Sequence, residues 1–495
     1  MRRSTAVWTA AALLVGTYAG LDTADLVPGL LTTRPLPPPP PTETPGTRTL
    51  PVVPQPTPST SVGMPLPPLA GETAAPSPAG VAKRLAAVLR LPALADSALV
   101  VRDGQSGTVL FDRGGTQLRI PASTTKMLSA AAVGRAFKPD ESLRTTVVRG
   151  AAPDEIVLVA GGDSLLAPRK GNPEAVAGRA GLGDLADQVA KALKATGTTS
   201  VTLSVDLDYA PGPLVAPTWA STFRPDGITG AVAMLGRADQ RATQRKPGPA
   251  DPVAATTGAF RDRLRERGID VRLAPLPTPK AVEGSGTPSA GTSTPPATSG
   301  STATAAGAQV LGTVTSAPVR DQLALAVNES DNALMETLAR QAAYRSGAGT
   351  SFADTGAFVV GQVAALGVPT DGVVLMDASG LSRENRVTAD LLAQVLVLGY
   401  DGQHPVLRAA LDGLPVGGLT GTLDDRFSSP LTHDAAGRAR AKTGTLTGAN
   451  ALAGSVVDDD GRLIVYVGLV AGAGTLEARA ALDRFVAALA ACGCR

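Results

Sequence analysis

The first hydrophobic run of the chain, Ser4 to Leu21 in "MRRSTAVWTAAALLVGTYAGLD", carries no charge and follows Arg2 and Arg3. An apolar run of that length behind a basic start is the pattern of an export signal, and it is long enough to remain in a membrane. The poor cleavage pattern in "TYAGLD" favours a retained anchor over residues 1–22, basic side in the cytoplasm. Residues 23–79 lose all periodicity. Their "RPLPPPPPTETPGTRTLPVVPQPTPSTSVGMPLPP" cannot assemble a core and favours extended polyproline conformations, so it reads as a stalk.

Regular patterning begins near Gly80. "AGVAKRLAAVLRLPAL" has helical apolar spacing, and "SALVVRDGQSGTVLFDRG" gives two strand-like runs around a "DGQSG" turn. In "RIPASTTKMLSAAAV" (119–133) an apolar helix begins around Ser123, after Pro121. Further on, "LGDLADQVAKALKATG" and "VTLSVDLDYAPG" read as a helix and strand of a small α/β unit. A Ser/Thr/Pro/Gly-rich stretch over 283–309 is low-complexity linker. The pattern resumes from Gly312. "APVRDQLALAVNESDNALMETLARQAAYR" reads as one helical stretch, "GRARAKTGTLTGANALAGSVVDDDGRLIVYVGLVAG" as consecutive strands, and "LEARAALDRFVAALAA" as a closing helix. That order predicts an α+β fold with an antiparallel sheet flanked by helices.

Composition narrows the chemistry. A chain of 495 residues holds two or three domains. A net charge of +2 and 3% aromatics give neither a polyanion-binding surface nor stacking platforms, so nucleic acid is not an expected partner. There are only two histidines, His404 and His433, and two cysteines, Cys492 and Cys494. No HExxH and no Cys/His set has zinc spacing, so neither a metal nor another cofactor is expected. The C-x-C is expected to form a small loop or pair between chains, without a catalytic role.

Without histidine, the candidate nucleophile is Ser123, with Lys126 one helical turn on. On its own the pair also reads as a helix cap and a solvated lysine. Two further motifs follow in order: Ser330-Asp-Asn332 and Lys442-Thr-Gly444. S-x-x-K with S-D-N and K-T-G is the trio of penicillin-binding proteins and class A β-lactamases. A serine hydroxyl needs a base to take its proton, and a lysine serves when burial and a second cation lower its pKa. Lys126 enters an apolar helix, and Lys442 is the second cation. Ser330 can relay a proton to the leaving amine, and Asn332 can hold a substrate amide and orient Lys126. The strand "KTGTLTG" offers backbone hydrogen bonds to an extended peptide. Thr443 and Thr445, with Lys442, are candidates for a terminal carboxylate, and the amides of Ser123 and Thr445 for the oxyanion hole.

The chain resembles the low-molecular-mass class C penicillin-binding proteins, the D-alanyl-D-alanine carboxypeptidase/endopeptidase family. The likeness covers roughly residues 80–490 and includes "PASTTKMLSAAA", "GGDSLL", "NESDNALMETLAR", "DASGLSRENRVTADLLAQVL", "LPVGGLTGTLDDRF" and "RAKTGTLTGANALAG". It implies a penicillin-binding/β-lactamase-like transpeptidase domain, here 80–144 and 310–491, with a smaller α/β domain inserted at 145–282. More than 200 positions separate Ser123 from Ser330, which suits such an insertion. The family usually has Pro after Gly-Asp, where this chain has Ser164.

The resemblance further implies attack by Ser123 on the penultimate D-alanine of peptidoglycan stem peptides, with Lys126 as base and β-lactams as covalent inhibitors. It assigns substrate binding to Thr443, Gly444, Thr445 and Arg383, and points to Asp206 and Tyr209 as readers of the stem's diamino-acid side chain. The location implied is exported, at the outer face of the membrane or in the wall. The rival readings are a β-lactamase-type hydrolase, which needs a placed base such as Glu329 or Glu336, and a non-catalytic wall-binding module of the same fold.

Overall fold

The computed structural model describes residues 75–283 and 308–494. The 1–22 anchor, the stalk up to residue 74 and nearly all of the 283–309 linker lie outside the described residues. No helix among the described residues is long and apolar enough to cross a membrane.

Helix α1 (Pro78–Leu85) starts behind Ser77, whose hydroxyl accepts from the Gly80 amide. Strands β1 (Ser97–Asp103) and β2 (Val109–Arg113) form a hairpin. Helix α2 (Thr125–Ala136) follows a single 3₁₀ turn, Ala122–Thr124. Next come β3 (Ser142–Arg149), β4 (Glu155–Val159), α3 (Leu182–Ala195), β5 (Ser200–Asp206), α4 (Pro252–Arg265), β6 (Asp270–Leu273) and β7 (Val310–Pro318). A helical cluster comprises α5 (Val319–Asn328), α6 (Asn332–Arg345), α7 (Phe352–Ala364), α8 (Ala389–Leu398) and α9 (Pro405–Asp412). The chain ends in β8 (Ala439–Leu446), β9 (Ala449–Val457), β10 (Leu463–Ala471) and α10 (Thr475–Ala490).

The first sheet has the order β2-β1-β10-β9-β8 and is antiparallel throughout. Its central strands are apolar at nearly every position because both faces are covered. Successive side chains point to opposite faces, so Ala98 and Val100 join one core while Leu99 and Val101 join another. The first core packs on the helical cluster and the second on α1 and α10.

The second sheet has the order β6-β5-β4-β3-β7. Its β4, β5 and β6 run parallel, and α3 and α4 lie between them in sequence, as parallel strands require a crossover. Strand β3 is antiparallel to both β4 and β7. This moves the boundaries expected from sequence. The insertion is not 145–282 but 142–318, because Val310–Pro318 pairs with β3 rather than joining the first sheet. The low-complexity stretch therefore interrupts the inserted unit instead of following it.

Two local features differ from the sequence expectation. The stretch from 317 to 345 is two helices, broken at 329–331. Ser330 takes the left-handed conformation (φ 57°), and the Asp331 carboxylate caps α6 by accepting from the Leu334 amide at 3.0 Å. The second difference is Ser123, which caps nothing; it sits in the 3₁₀ turn before α2. Cys492 and Cys494 are joined in a disulfide.

Candidate active site

Helix α2 is buried at every position from Thr125 to Val133, as a helix without a polar face must be. Lys126 on such a helix has no route to solvent and is fully buried. Its amine donates to Asn332 Oδ1 at 2.6 Å, to the Ser379 carbonyl at 2.8 Å and to Ser123 Oγ at 3.2 Å. These partners come from α6, from the loop after α7 and from the 3₁₀ turn. Burial brings the Lys126 amine down to about 8, while Glu336, Asp377 and Asp331 pull the other way.

Lys442 on β8 is equally buried, and burial and the Lys126 charge hold it well below the usual lysine range. Its amine donates to the Thr443 carbonyl at 2.9 Å. Gly444 has a steric role: a Cβ there would lie 2.8 Å from the Pro121 carbonyl and 3.1 Å from Ala122 Cβ. The missing side chain lets β8 lie against the turn that carries Ser123. Thr445 is exposed beside it, and the Thr443 hydroxyl donates to Thr422 Oγ1. Ser330, in the turn before Asn332, is half-buried. Arg383 is exposed and donates to the Thr447 carbonyl at 2.7 Å, tying its loop to the β8–β9 turn.

Tyr209 and Asp206 are not brought to this site. The Tyr209 ring packs edge-on against Tyr344, 5.5 Å away, near Arg345 and Glu141, and burial pushes its phenol up to about 12. That is the far end of α6, ~20 Å along the helix from Asn332. Asp206 stays on the second sheet, accepting from the Asp208 amide. The packing role is the one the structure gives Tyr209.

Several site residues carry no motif. The 207–250 segment of the insertion reaches across to the catalytic helices. Its Ile228 carbonyl accepts from Asn332 Nδ2 at 2.6 Å, and Trp219 Nε1 donates to Asp377 at 2.7 Å. Arg241 pairs with Asp331 and Glu329 on the S-D-N turn. Phe223 packs on Ala122, Leu446 and Ala449, the immediate neighbours of Ser123 and Thr445. The buried carboxylates of Glu336 and Asp377 also lack a signature. Asp377 stands in the "DASG" of a block quoted above for its family likeness, and Glu336 was weighed there only as the base of the rival β-lactamase reading.

This arrangement presents a hydroxyl within hydrogen-bond reach of an amine that is readily deprotonated, beside a sheet edge. It suits acyl transfer from an extended peptide. Comparison with known proteins agrees. The sequence matches the D-Ala-D-Ala carboxypeptidase 3 (S13) family over residues 81–271 and 289–492. It is 33% identical to carboxypeptidase DacB of Mycolicibacterium smegmatis, over 99% of this chain and 95% of that protein. It is 29% identical to a D-alanyl-D-alanine carboxypeptidase of an Actinomadura species, over 76% of this chain and 78% of that one. In fold it is similar to penicillin-binding protein 4 of Haemophilus influenzae, with a TM-score of 0.61 at 18% identity, covering 82% of this chain and 97% of that one. The chain therefore belongs to the D-Ala-D-Ala carboxypeptidase 3 family, the serine-type D-Ala-D-Ala carboxypeptidases.

Proposed function

We propose that this chain removes the terminal D-alanine of peptidoglycan stem peptides through an acyl intermediate on Ser123. The observation that carries the residue assignment is the Lys126 amine, fully buried and 3.2 Å from Ser123 Oγ. In its neutral form it accepts the hydroxyl proton as Oγ bonds to the carbonyl carbon of the penultimate D-alanine. The amides of Ser123 and Thr445 hold the oxyanion. The C–N bond then breaks, and the proton passes by way of Ser330 to the leaving amine. Water hydrolyses the ester and frees Ser123. Lys442, Thr443 and Thr445 bind the terminal carboxylate, and Arg383 stands beside them on the next loop. The same site cleaves peptide crosslinks where the leaving amine belongs to a neighbouring stem, which is the endopeptidase side of the activity.

β-Lactams acylate Ser123 by opening of their ring amide; a β-lactam complex of the Haemophilus protein supports this reading. A β-lactamase is disfavoured because both carboxylates near the second motif are engaged. Glu329 pairs with Arg241, and Glu336 accepts backbone amides beneath Lys126. The basic and apolar start of the chain supports export and retention at the outer face of the membrane.

The test is labelling of the purified protein with a fluorescent penicillin, alongside D-alanine release from a stem-peptide mimic. Both are expected for the wild type and neither for Ser123→Ala. Labelling that survives in Ser123→Ala would sink the assignment. Fractionation of cells expressing the full chain tests the anchor; protein found only in the medium would remove it.

A further inference from the structure

One turn beyond Asn332, on the same face of α6, lies Glu336, 1% exposed. Its Oε1 accepts from the amides of Ala378 at 3.0 Å and Ser379 at 2.7 Å, and its Oε2 accepts from Ala378 at 3.1 Å. The Ser379 carbonyl is the one that accepts from Lys126. The Ala378 carbonyl accepts from the Ser129 hydroxyl of α2 at 2.6 Å. The same loop is fixed from its other side by Asp377, which accepts from Gly380, Ser382, Asn385 and Trp219. A carboxylate with both oxygens on backbone amides is a structural clamp, and this one clamps the peptide unit that holds the base.

We propose that Glu336 is a positioning residue for catalysis: through the Ala378 and Ser379 amides it aims the carbonyl that fixes Lys126, and it lends that amine an anionic neighbour. The inference rests on the acyl-Ser123 reading above.

The surrounding charges set the sign of the effect. Lys126 faces Lys442 from β8, Asp331 from the S-D-N turn, Asp377 from the loop and Glu336 from α6. Glu336 faces Asp377, Lys126 and, one turn along its own helix, Arg340. Arg340 donates to the Pro213 carbonyl and ion-pairs with no carboxylate among the described residues. Burial, reinforced by Asp377, brings the Glu336 carboxyl up to about 7, while the bonds from Ala378 and Ser379 favour its charged form. Removing the Glu336 charge makes Lys126 a weaker base that deprotonates at lower pH.

The experiment follows the second-order rate of β-lactam acylation of the full chain against pH, for wild type, Glu336→Gln and Glu336→Asp. Glu336→Gln is expected to label at Ser123 still. Its plateau rate falls ~10-fold or more, since the amide replaces the Oε2 acceptor of the Ala378 N–H with an NH2 donor and removes the charge from the bonds that remain, and its acid limb moves down by about one pH unit. Glu336→Asp keeps the charge but loses reach, so its plateau falls while its limb stays at the wild-type pH. A limb and plateau unchanged in Glu336→Gln would overturn the inference. A rate lost only in proportion to folded protein, at every pH, would reduce Glu336 to a packing group and overturn it as well. If Glu336→Gln does not fold, Glu336→Asp decides: wild-type behaviour in both parameters is again a refutation. Failure of the wild type to label is a different result, which strikes the acyl-serine reading instead.

Discussion

The indole of Trp219 donates 2.7 Å to the Oδ2 of Asp377, across 158 positions of chain. One partner belongs to the inserted unit and the other to the loop that holds Lys126. Both are buried, and the Trp219 ring also lies edge-on to Phe352. Trp219→Phe keeps most of the packing and removes the donor. A buried acceptor that loses one partner costs about 1–2 kcal/mol. The expected outcome is a Tm lowered by about 2–4 °C, read by calorimetry, with slower acylation from a loosened loop. An unchanged acylation rate would show that the insertion does not set the geometry of the base.

The pH dependence follows from Lys126. Burial brings its amine down to about 8, and only the neutral form can take the Ser123 proton. The acylation rate is therefore low in acid, rises ~10-fold per pH unit, and levels above pH about 8. Stopped-flow mixing with a chromogenic β-lactam measures it. A flat profile between pH 6 and 9 would contradict a lysine base.

Gly380 is held at φ +89°, and a Cβ there would lie 1.9 Å from the Ala122 carbonyl. Gly380→Ala must shift either the 3₁₀ turn that carries Ser123 or the Ser379–Gly380 backbone that holds Lys126. A displacement of about 1 Å at a reacting centre costs ~100-fold. We expect that loss in penicillin labelling rate with the far-ultraviolet circular dichroism retained.

Asp163 is 1% exposed, and burial pushes its carboxyl up to about 7, against the single amide of Leu165. A carboxyl raised in the folded state favours folding at low pH, and that advantage is lost as pH rises through about 7. Asp163→Asn keeps an acceptor for Leu165 without the charge. It is expected to raise Tm by several degrees at pH 8 and to leave it unchanged at pH 4. An equal effect at both values would mean that the ionisation of Asp163 carries no cost.

The parts of the site legible in the sequence are those fixed by short spacing. Ser123 and Lys126 meet because three residues make nearly one helical turn, and a lysine on an all-apolar helix must be buried. The strand runs, the turns between them and the antiparallel first sheet follow from short apolar runs bounded by turn residues. The extent of the insertion was not legible, because β3 and β7 are half-buried strands of mixed polarity whose partnership is decided by pairing across 167 positions. The clamping roles of Glu336 and Asp377 escaped for a similar reason, although Glu336 was weighed as a β-lactamase base. Glutamate in the sequence "NALMETLAR" looks like a solvated helix position until α2 and the 377–382 loop cover it. The left-handed Ser330 was hidden because neither neighbour is a glycine or proline that would announce a break.

Strands β1 and β10, adjacent inside the first sheet, come from opposite ends of the described fold, with Ser97 opposite Val470 and Asp103 opposite Ile464. During synthesis β1 and β2 must therefore wait for nearly all of the remaining chain before their sheet can close, and long-range pairing of this kind is slow. A growing or truncated polypeptide can complete the second sheet and still lack a platform for β8 and β9. Penicillin labelling is thus expected to be absent from any chain ending before Leu463. A peptidoglycan-cleaving enzyme built in this order gains its cutting edge only when its last strand has been made.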